Sequence, residues 1–114
     1  MKKIGSNITG MLQVKSGNGK NIIGEAVPNW NNAIELEGYL DYQNGDSKYL
    51  AFDTKVQEST HIFICDYVEL PSTVKSDNSR MIINEKRYDV LLIDNPMEMN
   101  YQWEIYLKYN GDLQ

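Results

Sequence analysis

Ile34-Glu35-Leu36-Glu37-Gly38-Tyr39-Leu40-Asp41-Tyr42 is the stretch that decides the fold class. Ile34, Leu36, Gly38, Leu40 and Tyr42 fall at every second position, opposed by Glu35, Glu37, Tyr39 and Asp41. Successive side chains of a strand point to opposite faces, so the alternation predicts a strand with one buried and one wetted face.

Working outward, turn residues punctuate short apolar segments throughout the chain. Thr9 to Val14 alternates as a strand, and Ser16-Gly17-Asn18-Gly19-Lys20 supplies a hairpin turn, because Gly and Asn adopt positive φ readily. Asn21 to Val27 reads as a returning strand that Pro28-Asn29 stops. Gln43-Asn44-Gly45-Asp46 ends the Ile34–Tyr42 strand. Ser47 to Gln57 fits either of two descriptions: Tyr49, Phe52 and Val56 sharing one face of a short helix, or a long loop. Between Ser59 and Tyr67 both faces are apolar, which predicts a central, covered strand. Glu69 to Asn78, with Pro71, reads as an exposed loop. Arg80–Ile83 and Arg87–Ile93 flank Asn84-Glu85-Lys86 as a hairpin, Asp94-Asn95-Pro96 breaks it, and Tyr101 to Lys108 alternates as a final strand. The expected fold is mostly β: one small barrel (or sandwich) of about six strands spanning residues 1–114, with a long loop or short helix in its first half.

The 114 residues suffice for one compact core, and 41% hydrophobic residues can fill it. Lys and Arg number 11 against 16 Asp and Glu, a net charge of -5 that opposes non-specific attraction to a phosphate backbone. A lone cysteine, Cys65, rules out an intramolecular disulfide and fits a reducing cytoplasm. No apolar run approaches the ~20 residues that cross a bilayer. Met1-Lys2-Lys3 has the charge of a signal-peptide start, but Gly5-Ser6-Asn7 follows where an apolar run belongs. The expected compartment is the cytoplasm.

Tests for catalytic or ligand chemistry come back empty. His61 is the only histidine; with Cys65 four positions along the same strand it makes at most a fragment of a zinc site. Gly17-Asn18-Gly19-Lys20 lacks the leading glycine of a phosphate loop, where Val14 stands, and its following Ser or Thr, where Asn21 stands. In Asp41 to Phe52 the glycine of a calcium loop is misplaced, and Phe52 occupies the bidentate acid's position. Glu35 with Glu37 and Asp94 with Glu98 read as solvated faces. The expectation is a protein that is not an enzyme and has no cofactor, with its eight Tyr and two Trp serving the core and protein contacts.

Thr60-His61-Ile62-Phe63-Ile64-Cys65-Asp66-Tyr67, followed by Arg80-Met81-Ile82-Ile83, Asn84-Glu85-Lys86 and Arg87-Tyr88-Asp89-Val90, resembles the head-closure (head–tail joining) family of tailed phages and prophages. The aliphatic strand from Trp103 to Leu107 fits the family's ending, and the first half, with Trp30, fits more loosely. Asp66 stands where the family often has a basic residue. The resemblance implies a structural virion protein: a small β-barrel that forms a homo-oligomeric ring, dodecameric in the virion, below the portal and adaptor proteins. That ring would close the DNA channel after packaging and dock the tail proteins. DNA would pass without sequence-specific binding and no membrane would be engaged; the isolated chain could stay monomeric until a preformed surface recruits it. The implied channel loop is the segment from Gln43 to Glu58, whose acids Asp46, Asp53 and Glu58 outnumber Lys48 and Lys55. Competing expectations are another neck or tail-completion protein, such as a tail terminator, and a small OB-like or SH3-like binding module.

Overall fold

The computed structural model describes residues 8–20, 23–24, 26–42 and 59–112. Among them, six strands run in the order β1 (Ile8–Lys20), β2 (Ala26–Tyr42), β3 (His61–Asp66), β4 (Ser79–Ile83), β5 (Lys86–Asp94) and β6 (Gln102–Asp112). They form a closed barrel with neighbours β1-β2-β3-β6-β5-β4. Every pairing is antiparallel, and β1 meets β4 through Met11↔Ile82 to Val14↔Ser79 to shut the seam. The mostly-β, single-barrel expectation holds.

The alternation that decides the fold is realised in β2. Leu36 and Gly38 are buried and Ile34 and Leu40 half-buried, while Glu35, Glu37, Tyr39 and Asp41 are exposed. Phe63, Leu12, Met81, Ile105 and Leu107 have no exposed surface, and Ile83 and Cys65 have almost none. A six-stranded barrel is narrow enough for such side chains to fill it, so the interior is a packed core and not a pore. On β3, Phe63 and Cys65 face this core, and Ile62 is also buried on the other face, as the doubly apolar sequence implies.

Two local expectations are corrected. Ser16 to Lys20 is not a turn: β1 continues to Lys20, paired with Ala26, and the reversal comes near Gly24 (φ 88°). The register steps between Ser16 and Asn18, so Gly17 is an extra residue in the ladder. Glycine tolerance is spent on this bulge instead of on a reversal. Nor does Pro28 end β2, which runs from Ala26 to Tyr42. β3 pairs with β2 only from Gly38 onward, so at Pro28 β2 is an edge strand, where a missing N–H costs no ladder bond. The β4–β5 hairpin turns on Asn84 and Glu85, both at positive φ (50° and 65°) as a tight two-residue hairpin requires.

Close packing singles out one glycine. A Cβ on Gly38 would overlap the Ile64 carbonyl oxygen and sit 2.9 Å from the Cys65 Cβ. Backbone cannot retreat there without opening the β2–β3 pairing. A Cβ on Gly10 would instead meet the Met81 Sδ at 2.7 Å, the end of a flexible side chain. Gly38→Ala is therefore expected to destabilise the barrel by about 1–3 kcal/mol, the scale of core overpacking. Gly10→Ala is expected to cost distinctly less. Urea midpoints of the two variants measure the order; equal midpoints would show that the Gly38 contact is not limiting.

Candidate functional site

The sequence-predicted channel residues Gln43, Asp46, Lys48, Asp53, Lys55 and Glu58 lie outside the described residues. What the structure gives is their anchorage. Tyr42, the last residue of β2, pairs with His61, the first of β3, so the chain leaves and re-enters the barrel at one place.

That end of the barrel is built from rings. The Tyr42 and His61 rings meet edge-on with centroids 5.6 Å apart, His61 meets Tyr88 at 5.2 Å, and Tyr88 meets Tyr109 at 5.6 Å. Because β6 lies between β3 and β5, the His61–Tyr88 contact crosses the barrel mouth. Tyr88 is buried beneath it, while Tyr42 is 76% exposed and Tyr109 42% exposed on the rim. The rings close the lumen from below and leave two tyrosines facing outward, a geometry suited to packing against protein.

Thr60 fixes the histidine. Its hydroxyl oxygen accepts the Tyr109 N–H at 2.8 Å and lies 2.9 Å from His61 Nδ1; its own N–H donates to the Leu107 carbonyl at 2.8 Å. Burial, then the Lys86 ammonium, lower the His61 pKa from its ordinary value, which favours the neutral ring. A neutral Nδ1 can then accept the one Thr60 hydroxyl proton. Around the His61 ring lie the Tyr42 and Tyr88 rings and the Thr60 hydroxyl, with the Lys86 charge acting on it. Among the described residues, no three His, Cys, Asp or Glu side chains come together as metal ligands. Cys65 lies in the core, and burial, with help from Asp66, pushes its thiol up to about 11. At neutral pH it holds its proton and is a poor nucleophile.

The opposite end carries a groove where the sequence, from Glu69 to Asn78, predicts an exposed loop. Residues 67–78 fold back over the barrel mouth, with Leu70 and Val74 against the core. Tyr67 stacks on Trp103 (5.2 Å, 26° between planes), and Trp103 Nε1 donates to the Val68 carbonyl at 2.7 Å. Tyr67, Leu70, Val74, Leu92, Ile93 and Trp103 line the groove, with Glu69 at its edge. Beside it, Asn95 Nδ2 donates to Asn100 Oδ1 at 2.7 Å, and the Asn100 N–H donates to Asn95 Oδ1 at 3.1 Å. These bonds clasp a loop in which Met97, Glu98 and Asn100 all have positive φ and Met97 is 86% exposed. The period-two placement of Trp103 with Ile105 and Leu107 was the available signal for one wall. The loop wall had none.

On the outer wall, Arg80 Nε donates to Gln13 Oε1 at 2.8 Å, Gln13 Nε2 donates to Asn32 Oδ1 at 2.9 Å, and the Arg80 guanidinium lies 4.4 Å from the Trp30 ring centre. This ladder crosses β2, β1 and β4 and has the composition of a structural brace.

No family model matches the chain, and no curated protein matches it. Among solved structures, the barrel is similar to the solution structure of protein SF1141 from Shigella flexneri 2a, a structural-genomics target. The TM-score is 0.61 at 12% identity, covering 92% of this chain and 93% of that one. At that identity the likeness establishes the fold alone.

Two expectations follow from the buried groups. The folded His61 binds its proton less tightly than the unfolded chain, whose value lies near 6.5. Its contribution to stability is thus full above that pH and lost as pH falls through it. Thermal melts should show that the drop in stability from pH 7.5 to pH 5.5 is smaller in His61→Gln than in the parent; an unchanged drop would remove His61 from the account. The Cys65 thiol should resist Ellman's reagent at pH 8 in the native protein and react stoichiometrically in denaturant. Rapid native labelling would contradict its burial.

Proposed function

We propose that the chain is a structural subunit of a phage head–tail connector, acting in a ring below the portal and adaptor that closes the DNA channel and docks the tail. One observation carries the reading: the 43–58 segment is anchored at both ends on one rim of a barrel whose interior is filled. The barrel lumen cannot conduct DNA, since Phe63, Leu12, Met81 and Leu107 occupy it. Any channel would be the space at the centre of a ring of barrels, and a segment held on a rigid rim can be aimed into it. Support comes also from the closed six-strand fold, which is the one the sequence resemblance implies.

The segment's composition suits a stop and not a grip. Asp46, Asp53 and Glu58 against Lys48 and Lys55 leave each copy net acidic, and repetition around a ring, twelve-fold if the resemblance holds, would multiply the repulsion of phosphate. The exposed rim tyrosines and the groove at the other end are suited to neighbouring ring and tail proteins. In this reading the protein has no catalytic role, assembles in the host cytoplasm and ends in the virion connector.

The test is DNA retention in filled heads assembled with a chain shortened within residues 43–58. The expected result is loss of packaged DNA from heads that still carry the ring, with the far-UV circular dichroism of the isolated variant unchanged. Full retention with the ring attached would overturn the gating role. A complete absence of the protein from virions would overturn the connector reading.

A further inference from the structure

The chain leaves β5 at Asp94 and reaches β6 at Gln102, and it crosses that gap at a conformational cost. Met97, Glu98 and Asn100 are all left-handed, at φ 54°, 53° and 58°, and for Met and Glu that region is unfavourable. The result is display. Met97, Met99 and Tyr101 are all exposed. The Tyr67 N–H donates to the Tyr101 carbonyl at 3.1 Å, which brings Val68, also exposed, to the same corner. Apolar side chains scattered singly over a surface need no explanation, but four at one corner mark a contact. Methionine, flexible and polarizable, suits an irregular partner surface.

Around this corner the charge is mostly of one sign. Asp94 and Glu104 face each other across the β5–β6 ladder, Glu98 stands on the loop itself and Glu69 follows Val68. Gln102 Nε2 donates to Glu104 Oε2 at 2.6 Å and holds that carboxylate in place. Burial, then the Glu104 and Asp94 carboxylates, raise the Tyr106 pKa above its ordinary value, so their field is felt on the neighbouring side chain. Lys75, in the groove lining, answers at most one of these four acids, and Lys15 beyond it lies beside Asp77.

We infer that this corner docks a basic segment of another protein, whose apolar residues cover Met97, Met99, Tyr101 and Val68 while its flanking Lys or Arg meet Asp94, Glu98, Glu104 and Glu69. Nucleic acid and anionic lipid bring the wrong sign. A second copy of this chain fits poorly. Corner on corner sets acid against acid, and the bases of β4, β5 and β6 are interleaved with acids: Arg80 and Lys108 stand opposite Asp89, and Lys86 opposite Asp112. Such a partner matches the neighbouring ring or tail protein expected at this end, and only its biological setting rests on the connector reading.

The probe is a fluorescently labelled amphipathic helical peptide of leucine and lysine, with a leucine–glutamate peptide of the same pattern as its control. Each is titrated with the full chain and followed by anisotropy. The parent should bind the lysine peptide at least about tenfold more tightly than the glutamate peptide. Met97→Asp and Met99→Asp should each weaken that binding by about tenfold, the scale of one buried apolar side chain. The sign is decisive, because each variant adds an acid and contact through charge alone would tighten. Ile23→Asp makes the same change at an exposed site in the β1–β2 reversal and should not weaken binding. Far-UV circular dichroism should be unchanged in all three variants. A lysine peptide that fails to bind, a glutamate peptide that binds equally, tighter or unchanged binding in both Met variants, or an equal loss in Ile23→Asp would each overturn the inference. None of these readouts involves a virion, so their failure leaves the connector reading to the DNA-retention measurement.

Discussion

Four residue pairs, Met11↔Ile82 through Val14↔Ser79, turn a six-stranded sheet into a barrel. Everything else in the structure depends on that seam. With it closed, Leu12 and Met81 lie fully inside and the sheet has no free edge around its core. The outer wall reinforces it, since Arg80 is bonded to Gln13 across the seam and packed on Trp30 of β2. Such a polar brace adds little energy by itself, because exposed charge-assisted contacts are screened by water. Its value is registration: a one-residue slip between β1 and β4 would turn Leu12 outward and part Gln13 from Arg80.

The same closure sets what the two ends can be. Rings cap one mouth and a folded-back loop caps the other, so neither end leads into the core. The His61–Tyr88 contact makes one rim rigid through side chains from non-adjacent strands. The 95–100 loop makes the other end firm by a different means, with a clasp between Asn95 and Asn100 that holds three left-handed residues in place. Left-handed backbone at Met97 and Glu98 is unfavourable for residues with a Cβ. The clasp offsets that cost and keeps Met97 directed outward.

How much of this was legible in the sequence differs by element. Ile34 to Tyr42, the β4–β5 hairpin and the final strand were readable because each buries one face, and burial writes period two directly into residue choice. The Gly17-Asn18-Gly19 stretch misled because turn chemistry states what a backbone can adopt, and a bulge consumes the same tolerance as a reversal. Pro28 misled because its penalty depends on whether a neighbour strand is present, which a local reading does not contain. The rim was illegible as a cluster: the His61 ring meets Tyr42 and Tyr88, and Tyr88 in turn meets Tyr109, residues far apart in sequence. The groove was illegible for the same reason, since the 67–78 loop, β5 and β6 meet only after the chain has folded. The channel segment, Gln43 to Glu58, lies outside the described residues.

The seam also governs how the chain must be made. Gln13 and its partner Arg80 are 67 residues apart. A ribosome adding about 5–20 residues per second delivers that partner several seconds after β1 has emerged. Until β3 emerges to pair with β2, β1 and β2 are a hairpin with two open edges, and the β1 edge stays open until β4 arrives, the state in which strands recruit the wrong partner. The bulges at Gly17 and Ala33 and the proline at position 28 interrupt both edges. Features that look like irregularities in the finished barrel are, on the nascent chain, the protection it carries until its closing strand arrives.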